Sequence, residues 1–160
     1  MAEEIMSDAA HENTLPVFSI EKIYVKDISL EIPHAPQIFL ERDNPQIDVQ
    51  LHTLAESFEK GLFEVVVTAT VTARIGEKVM FLIEVKQGGV FRAHNVPGKE
   101  LEQILAVMCP NTLFPFLRES VSDVSVRAGF APVLLNPINF ETLYQRQKIE
   151  AQTAATATTH

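Results

Sequence analysis

The chain has 160 residues, of which 46% are hydrophobic, and a formal net charge of −8. This length suits one domain with a modest core, and the acidic balance argues against non-specific nucleic-acid binding, which needs clustered Lys and Arg. A single cysteine, Cys109, excludes an intramolecular disulfide. The N-terminus lacks the basic and apolar regions of a signal peptide, and no apolar run approaches the ~20 residues that span a bilayer. We therefore expect a cytoplasmic protein without a membrane-inserted segment.

The first half of the chain is rich in β-branched residues that alternate with polar ones, as strands require. A short link at Gly76 predicts a hairpin between the third and fourth strands. Gly88 and Gly89 predict the place where the last strand bends or ends. The four predicted strands cover residues 18–31, 46–54, 62–75 and 78–87.

The second half has apolar residues at helical spacing. One helix is predicted from Gly98 to Pro110, where the proline should interrupt it. A second helix starts near Asn111 and ends at Gly129, since glycine commonly follows a helix. An extended connector with two prolines leads to a third helix that Asn139 can cap.

Strands followed by helices predict an α+β fold, with a four-stranded antiparallel sheet and two main helices on one of its faces. Residues 1–16 and 151–160 are polar or small and lack periodicity. We predict flexible tails there, on either side of a folded domain at 17–150.

No catalytic constellation is visible. The five histidines are scattered and none has metal-ligand spacing with Cys109. Cys109 has apolar neighbours, which favours a buried structural thiol over a nucleophile. The sequence contains neither a phosphate-binding loop nor a dinucleotide fingerprint. We predict that the protein is not an enzyme and that it needs no metal or cofactor.

Apolar residues exceed what a small core needs. They recur on the second strand, the second helix, the connector and the last helix. Any one of them is more often a core residue than a ligand contact. As a group they favour an exposed interaction surface or an oligomer interface.

A second pattern is acidic. Asp27 and Glu31 share one parity of the first strand, and Leu82 and Glu84 share one parity of the fourth. Together they could form a docking site for a basic partner. The alternative interpretation is an ordinary solvated sheet face.

Taken together, four ordered segments resemble the SecB family of bacterial export chaperones. They are IYVKDISLE with its following proline, FLIEVKQGGVF at 81–91, CPNTLFPFLRE at 109–119 and PINFETLY at 137–144. The resemblance runs from about Phe18 to Gln147. It implies a four-stranded sheet with two main helices, and four subunits that assemble as a dimer of dimers.

The resemblance also assigns residues. Positions that contact the motor protein SecA in the family match Asp27, Glu31, Leu82 and Glu84, and the partner segment would be SecA's basic C-terminal peptide, which carries its own zinc. Positions linked to subunit assembly match Ile83, Val85 and Gln87. The substrate groove is expected to include Ile47, Val49, Leu51, Leu113, Phe114, Phe116, Leu117, Phe130, Phe140, Leu143 and Tyr144.

The implied function is an ATP-independent chaperone that binds unfolded precursor proteins and delivers them to SecA. Alternatives are a general holdase, or the chaperoning of toxin–antitoxin systems, without a dedicated role in export. A small-molecule carrier with a closed pocket and a purely structural oligomer are rivals from other classes. Both differ from a chaperone in that they would not bind an unfolded chain.

Overall fold

A computed structural model describes residues 14–158. Its four strands form one antiparallel sheet in the order β1-β4-β3-β2, so that β1 and β2 are the two edges. The predicted fold class is confirmed. The strands are β1 (Val17–Glu31), β2 (Gln46–Glu59), β3 (Leu62–Ile75) and β4 (Lys78–His94).

The two faces of the sheet differ as strand alternation predicts. Odd-numbered residues of β3 and β4 lie on one face and are almost all buried there, among them Val67, Val71, Ile83 and Phe91. Even-numbered residues such as Thr70 lie on the opposite face and are only partly buried. We call these the helix-side face and the outer face.

Helices cover the helix-side face. They are α1 (Gly98–Gln103), a π-helical turn (Ile104–Met108), α2 (Cys109–Arg127) and α3 (Phe140–Ala157). The predicted apolar stripe of α2 is buried against β3 and β4 and forms the core with their odd-numbered side chains. No helix within residues 14–158 is both long and apolar enough to cross a membrane.

The predicted interruption at Pro110 is wrong. The chain stays helical from α1 to α2, and the change in geometry comes earlier, in the π-helical turn, where the Cys109 N–H bonds to the Ile104 carbonyl. Pro110 follows directly in the first turn of α2. Because a π turn is wider than an α turn, it gives room to a residue that has no N–H to contribute.

Both predicted helix boundaries around the connector are confirmed. After α2, Gly129 has φ +91°, its N–H bonds to the Val126 carbonyl, and the Phe130 N–H bonds to the Ser125 carbonyl. This is the Schellman arrangement, which closes a helix end. At the start of α3, the Asn139 side chain accepts a hydrogen bond of 3.0 Å from the Thr142 N–H.

Gly88 and Gly89 do not end the sheet, since β4 continues to His94. Both glycines make room for side chains instead. A Cβ at Gly88 would lie 2.6 Å from the ring of Tyr24 on the outer face, and a Cβ at Gly89 would lie 2.8 Å from Leu113 on the helix side. The predicted strand end is therefore wrong, and both glycines allow close packing on the two faces of β4.

The predicted loose tail from residue 151 is also wrong as far as Ala157, because α3 extends to that residue. Alanine and glutamine favour helix. The hydroxyls of Thr153 and Thr156 donate to carbonyls four residues earlier and so do not compete with the helix. Of the predicted N-terminal tail, residues 1–13 lie outside the described residues, as do the last two residues of the chain.

Candidate functional site

An open apolar cleft of about 600 Å³ lies between β2 and the connector that joins α2 to α3. Three of the predicted groove residues form its β2 wall, and they come from the helix-side face of that strand. The cleft is lined by Ile47, Val49, Leu51, Pro132, Val133, Leu134, Leu135, Asn136, Ile138 and Leu143.

Local structure keeps this cleft open. Ile47 is 48% exposed and Val49 41% exposed, since β2 is an edge strand that extends beyond the cover of α2. The opposite wall is held in place by Ser125, whose buried hydroxyl accepts a 2.9 Å hydrogen bond from the Val133 N–H. The cleft is therefore a built feature of the fold and not a gap left by loose packing.

A second, smaller cleft of about 280 Å³ continues along the same strand. Thr53 and Ala55 of β2 line it, opposite Phe140, Leu143 and Tyr144 of α3. Leu143 lines both clefts. The two clefts form one path along β2 from Ile47 to Ala55, which we call the β2 groove; at ~3.3 Å per residue it is ~26 Å long.

Four other predicted groove residues lie elsewhere. Leu113, Phe114 and Leu117 are buried in the chain's own core, because they are the face of α2 that packs on the sheet. They are not available to a ligand in this fold. Phe116 is 43% exposed on the other side of α2, away from the β2 groove.

Phe130 lies where the connector begins, within an aromatic cluster. Its ring centroid is 5.2 Å from that of Phe39 and 5.0 Å from that of Phe81. Phe39 is exposed and Phe130 half-buried, so this cluster is accessible next to the connector.

Sequence reasoning missed most of the connector. The run Val133-Leu134-Leu135 lies between two prolines, and its members alternate: Val133 and Leu135 are buried while Leu134 is 72% exposed. The signal available in the sequence was the uninterrupted apolar run between two prolines. The alternating burial shows an extended segment with one side on the core and one side away from it.

The predicted acidic residues come together on the outer face. In the register of β1 with β4, Glu31 faces Leu82, Ser29 faces Glu84, and Asp27 faces Lys86, four residues before Glu31. The side chains of Asp27 and Glu31 are exposed and, within residues 14–158, have no hydrogen bond or ion pair. Glu84 lies 4.0 Å from Lys86, a basic neighbour that parity alone did not reveal.

The predicted assembly residues have a different environment. Ile83, Val85 and Gln87 are buried on the helix-side face beneath α2. The Gln87 amide donates a 3.0 Å hydrogen bond to the Tyr24 carbonyl of β1, while its own oxygen is buried without a partner. Their side chains are therefore not exposed for direct contact with another chain in this fold.

β1 itself carries an exposed apolar stripe on the helix-side face. Its residues pair in register with buried residues of β4, and none of them lines the β2 groove. The four side chains are between 37% and 49% exposed: Ile20, Val25, Ile28 and Leu30.

On the outer face, Glu64 of β3 links β1 across the whole width of β4. It accepts hydrogen bonds from Tyr24 and, at 2.6 Å, from Lys26. The Lys26 bond, followed by the Tyr24 bond, lowers the pKa of Glu64. Burial, followed by the hydrogen bond to Glu64, raises the pKa of Tyr24 to about 12.

Cys109 is fully buried, and this burial raises the pKa of its thiol to about 12. It therefore has the environment of a core residue and not that of a nucleophile. No three His, Cys, Asp or Glu side chains in the described part of the chain cluster as metal ligands.

Comparison with known proteins agrees with this geometry. The family model of SecB, described as preprotein translocase subunit SecB, matches residues 11–151. The protein-export protein SecB of Methylobacillus flagellatus is 55% identical over 160 residues, all of both chains. That of Nitrosomonas eutropha is 62% identical over 138 residues, which are 85% of this chain and 86% of its own.

Among solved structures, a SecB-like chaperone of Mycobacterium tuberculosis, in complex with a peptide from an antitoxin, superposes with a TM-score of 0.63. The match covers 76% of this chain and 90% of that one at 16% identity, which supports the fold. The extent of the family match and the high identity to full-length relatives establish that this chain belongs to the SecB family.

Proposed function

We propose that the protein is a chaperone of protein export that holds unfolded precursor polypeptides in the β2 groove. The observation that carries this proposal is an apolar groove that stays open although the core beside it is fully packed. The relatives with 55% and 62% identity are named protein-export proteins, which favours export over a general or antitoxin-linked holdase.

The groove suits a flexible chain better than a small molecule. It is long and open, and aliphatic and aromatic side chains form much of its walls, whereas small-molecule sites usually enclose their ligand around a few convergent polar groups. Burial of apolar side chains at ~25 cal/mol per Å² supplies affinity without nucleotide. Folded proteins hide such side chains, so the state of folding selects the client.

Light scattering of a precursor that refolds from denaturant tests the proposal. A stoichiometric amount of the protein should suppress the rise in scattering, and adding ATP should change nothing. Undiminished aggregation would contradict the proposal. Titration with an unfolded polypeptide separates a chaperone from a purely structural oligomer, which would show no binding.

For delivery, we propose that SecA docks on the outer face at Asp27, Glu31, Leu82 and Glu84. Two exposed, unpaired carboxylates and a neighbouring leucine fit a basic segment that also carries apolar side chains. Such a contact should weaken as salt increases, because exposed charges are screened.

Charge reversal tests the docking site. Glu84→Lys should weaken SecA binding and leave client binding intact. Glu56→Lys is the matched control, since Glu56 lies on the same face but on β2, at the edge of the sheet opposite β1. Equal SecA affinity of wild type and Glu84→Lys would show that the site is wrong.

We also propose a cytoplasmic homotetramer built as a dimer of dimers. The stripe on β1 can pair with the β1 of a second copy, and the half-buried to exposed apolar surface of Ile104, Val107 and Met108 offers a second contact. Ile83, Val85 and Gln87 would act indirectly, by fixing β1 and α2. Several grooves in one assembly would raise avidity for a long client.

A further inference from the structure

We propose that client binding and subunit assembly are coupled through one helical segment, so that each strengthens the other. The segment consists of α1 and the π-helical turn that follows it, residues 98–108, and we call it the α1–π segment. The inference rests on the proposed client binding and the proposed tetramer, and it specifies how the groove is regulated.

The α1–π segment takes part in two apolar surfaces at once. On one side, Glu102, Leu105 and Ala106 line the smaller cleft of the β2 groove. On the other side lies a further cleft of about 290 Å³, which is lined by Glu100, Gln103, Ile104, Val107 and Met108. The two sets alternate at helical spacing and therefore face different ways. Met108 is 48% exposed in the second set, on the surface proposed above as a contact with another copy.

The α1–π segment is also held less firmly than α2. Within residues 98–108 no side chain is buried, whereas buried residues recur along most of α2. A solvent-exposed hydrogen bond of 3.3 Å, which Gln103 donates to Glu141, links the segment to α3. Regions with few buried apolar contacts open locally at a low cost in free energy. The segment is therefore readily ordered by whatever binds to it.

The π-helical turn lies where the two surfaces meet. Of the residues in Ile104–Met108, Leu105 and Ala106 line the groove and the others line the second cleft. The turn leads directly into α2, whose first residue, Cys109, is fully buried. Because this end is fixed, contact on either side of the turn restricts the same few backbone angles.

Shared ordering of this kind gives positive coupling. The first ligand to bind bears the entropy cost of ordering the segment, so the second ligand binds more tightly. By linkage, a client that stabilises the tetramer must also bind the tetramer more tightly than it binds the separated subunits. The assembly would thus retain its client while intact and release it more readily on dissociation.

Sedimentation of the full-length protein over a dilution series, with and without a short apolar peptide, tests the inference. A peptide of about eight residues matches the ~26 Å of one groove and is too short to bridge two, which excludes avidity as a cause. A saturating amount should lower the dissociation constant of the tetramer at least about tenfold, since every groove contributes. An unchanged constant with bound peptide would overturn the inference. If the peptide itself does not bind, the proposed client function fails and the inference fails with it, which is a distinct result.

Leu105→Ala and Leu51→Ala form a matched pair of variants. Both leucines are half-buried, pack against the core and line the β2 groove, but only Leu105 belongs to the α1–π segment. Each variant should bind the peptide more weakly, because each loses apolar contact. At saturation, Leu51→Ala should keep the effect of about tenfold on the tetramer, and Leu105→Ala should reduce it to less than about threefold. Equal effects in both variants would mean that the segment does not carry the coupling.

Amide hydrogen exchange of the wild-type protein locates the ordering. Peptide binding should slow exchange within the α1–π segment, because the segment opens less often when the groove is filled. Coupling without such protection would overturn the inference, since it would then follow another route through the molecule.

Discussion

β1 and β2 are both edge strands, and both expose apolar side chains on the helix-side face. On β1 these are Ile28 and its neighbours, and on β2 they are Ile47 and Val49, with similar exposure. The difference is what lies opposite. The connector faces the β2 residues and makes a groove, whereas the stripe on β1 lines neither of the two clefts of that groove.

The two edges also differ in how they are fixed. β1 is tied to the sheet by side chains on both faces: Glu64 binds Tyr24 and Lys26, and Gln87 binds the Tyr24 carbonyl. Within the described residues, no side-chain hydrogen bond or ion pair links β2 to another element. The ladder with β3 and apolar packing alone hold it.

This contrast separates two tasks that both need exposed apolar surface. A strand that is firmly tied by side chains suits a rigid partner of fixed shape, such as a second copy of the chain. A grooved, less restrained strand suits clients of many sequences. The predictions below test whether assembly follows β1 and client binding follows β2.

The largest effect is expected for Ile28→Asp on β1. A charge placed in an apolar interface remains desolvated and unpaired, which should dissociate the assembly. Native mass spectrometry or light scattering should show a loss of tetramers. Ile47→Asp on β2 is the matched control and should keep the native mass; if it dissociates the assembly instead, the division between the edges is wrong.

Next comes Gly88→Ala. The added Cβ would lie 2.6 Å from the Tyr24 ring and displace the side chain that ties β1 to Glu64. Overpacking of this kind should lower the free energy of unfolding by about 1–3 kcal/mol, as measured by chemical denaturation. The control is Gly98→Ala, where a Cβ meets nothing within 4 Å; a similar loss in both variants would contradict the packing argument.

The sequence predicted the fold class, the hairpin at Gly76, the stripe of α2 and both helix boundaries at the connector. These depend on local rules: alternation, helical period and capping. It misplaced the helix break at Pro110, because the π-helical turn directly before the proline makes room for it. It misplaced the strand end at Gly88, because the reason for this glycine is the ring of Tyr24, a neighbour distant in sequence.

The candidate site was predictable only in part. The parity of β2 indicated Ile47, Val49 and Leu51, which do line an open cleft, but the same hydrophobicity also selected Leu113 and Leu117, which fill the core. Apolar residues look alike in sequence whether they face a sheet or a groove. Only the order of the strands, with β2 at an edge, distinguishes the two.

A smaller effect is expected for Val49→Ser. Losing part of the apolar contact in the groove should weaken client binding by about 1 kcal/mol, roughly fivefold, without a change in assembly. Leu54→Ser is the control, because Leu54 lies on the same strand with 49% exposure but on the outer face. Titration of an unfolded protein checks both; equal losses would show that the groove is not the binding face.

The smallest effect is expected at Glu64, where the pH dependence of stability tests how β1 is tied to the sheet. Because the pKa in the folded state is below the unfolded value of ~4.3, the ion pair stabilises the protein above that pH, and this contribution is lost as pH falls through the folded pKa. Lys26 is half-exposed, so we expect about 1 kcal/mol or less at pH 7. Glu64→Gln should lower the stability at pH 7. On acidification this variant should lose less stability than the wild type does, as followed by denaturation at several pH values.

Glu56→Gln is the control. It removes the carboxylate that faces Glu64 from β2, and it should leave stability unchanged or raise it slightly, since like charges opposite each other repel. If Glu56→Gln is instead as damaging as Glu64→Gln, then β2 is tied by charge as firmly as β1, and the difference between the two edges has another cause.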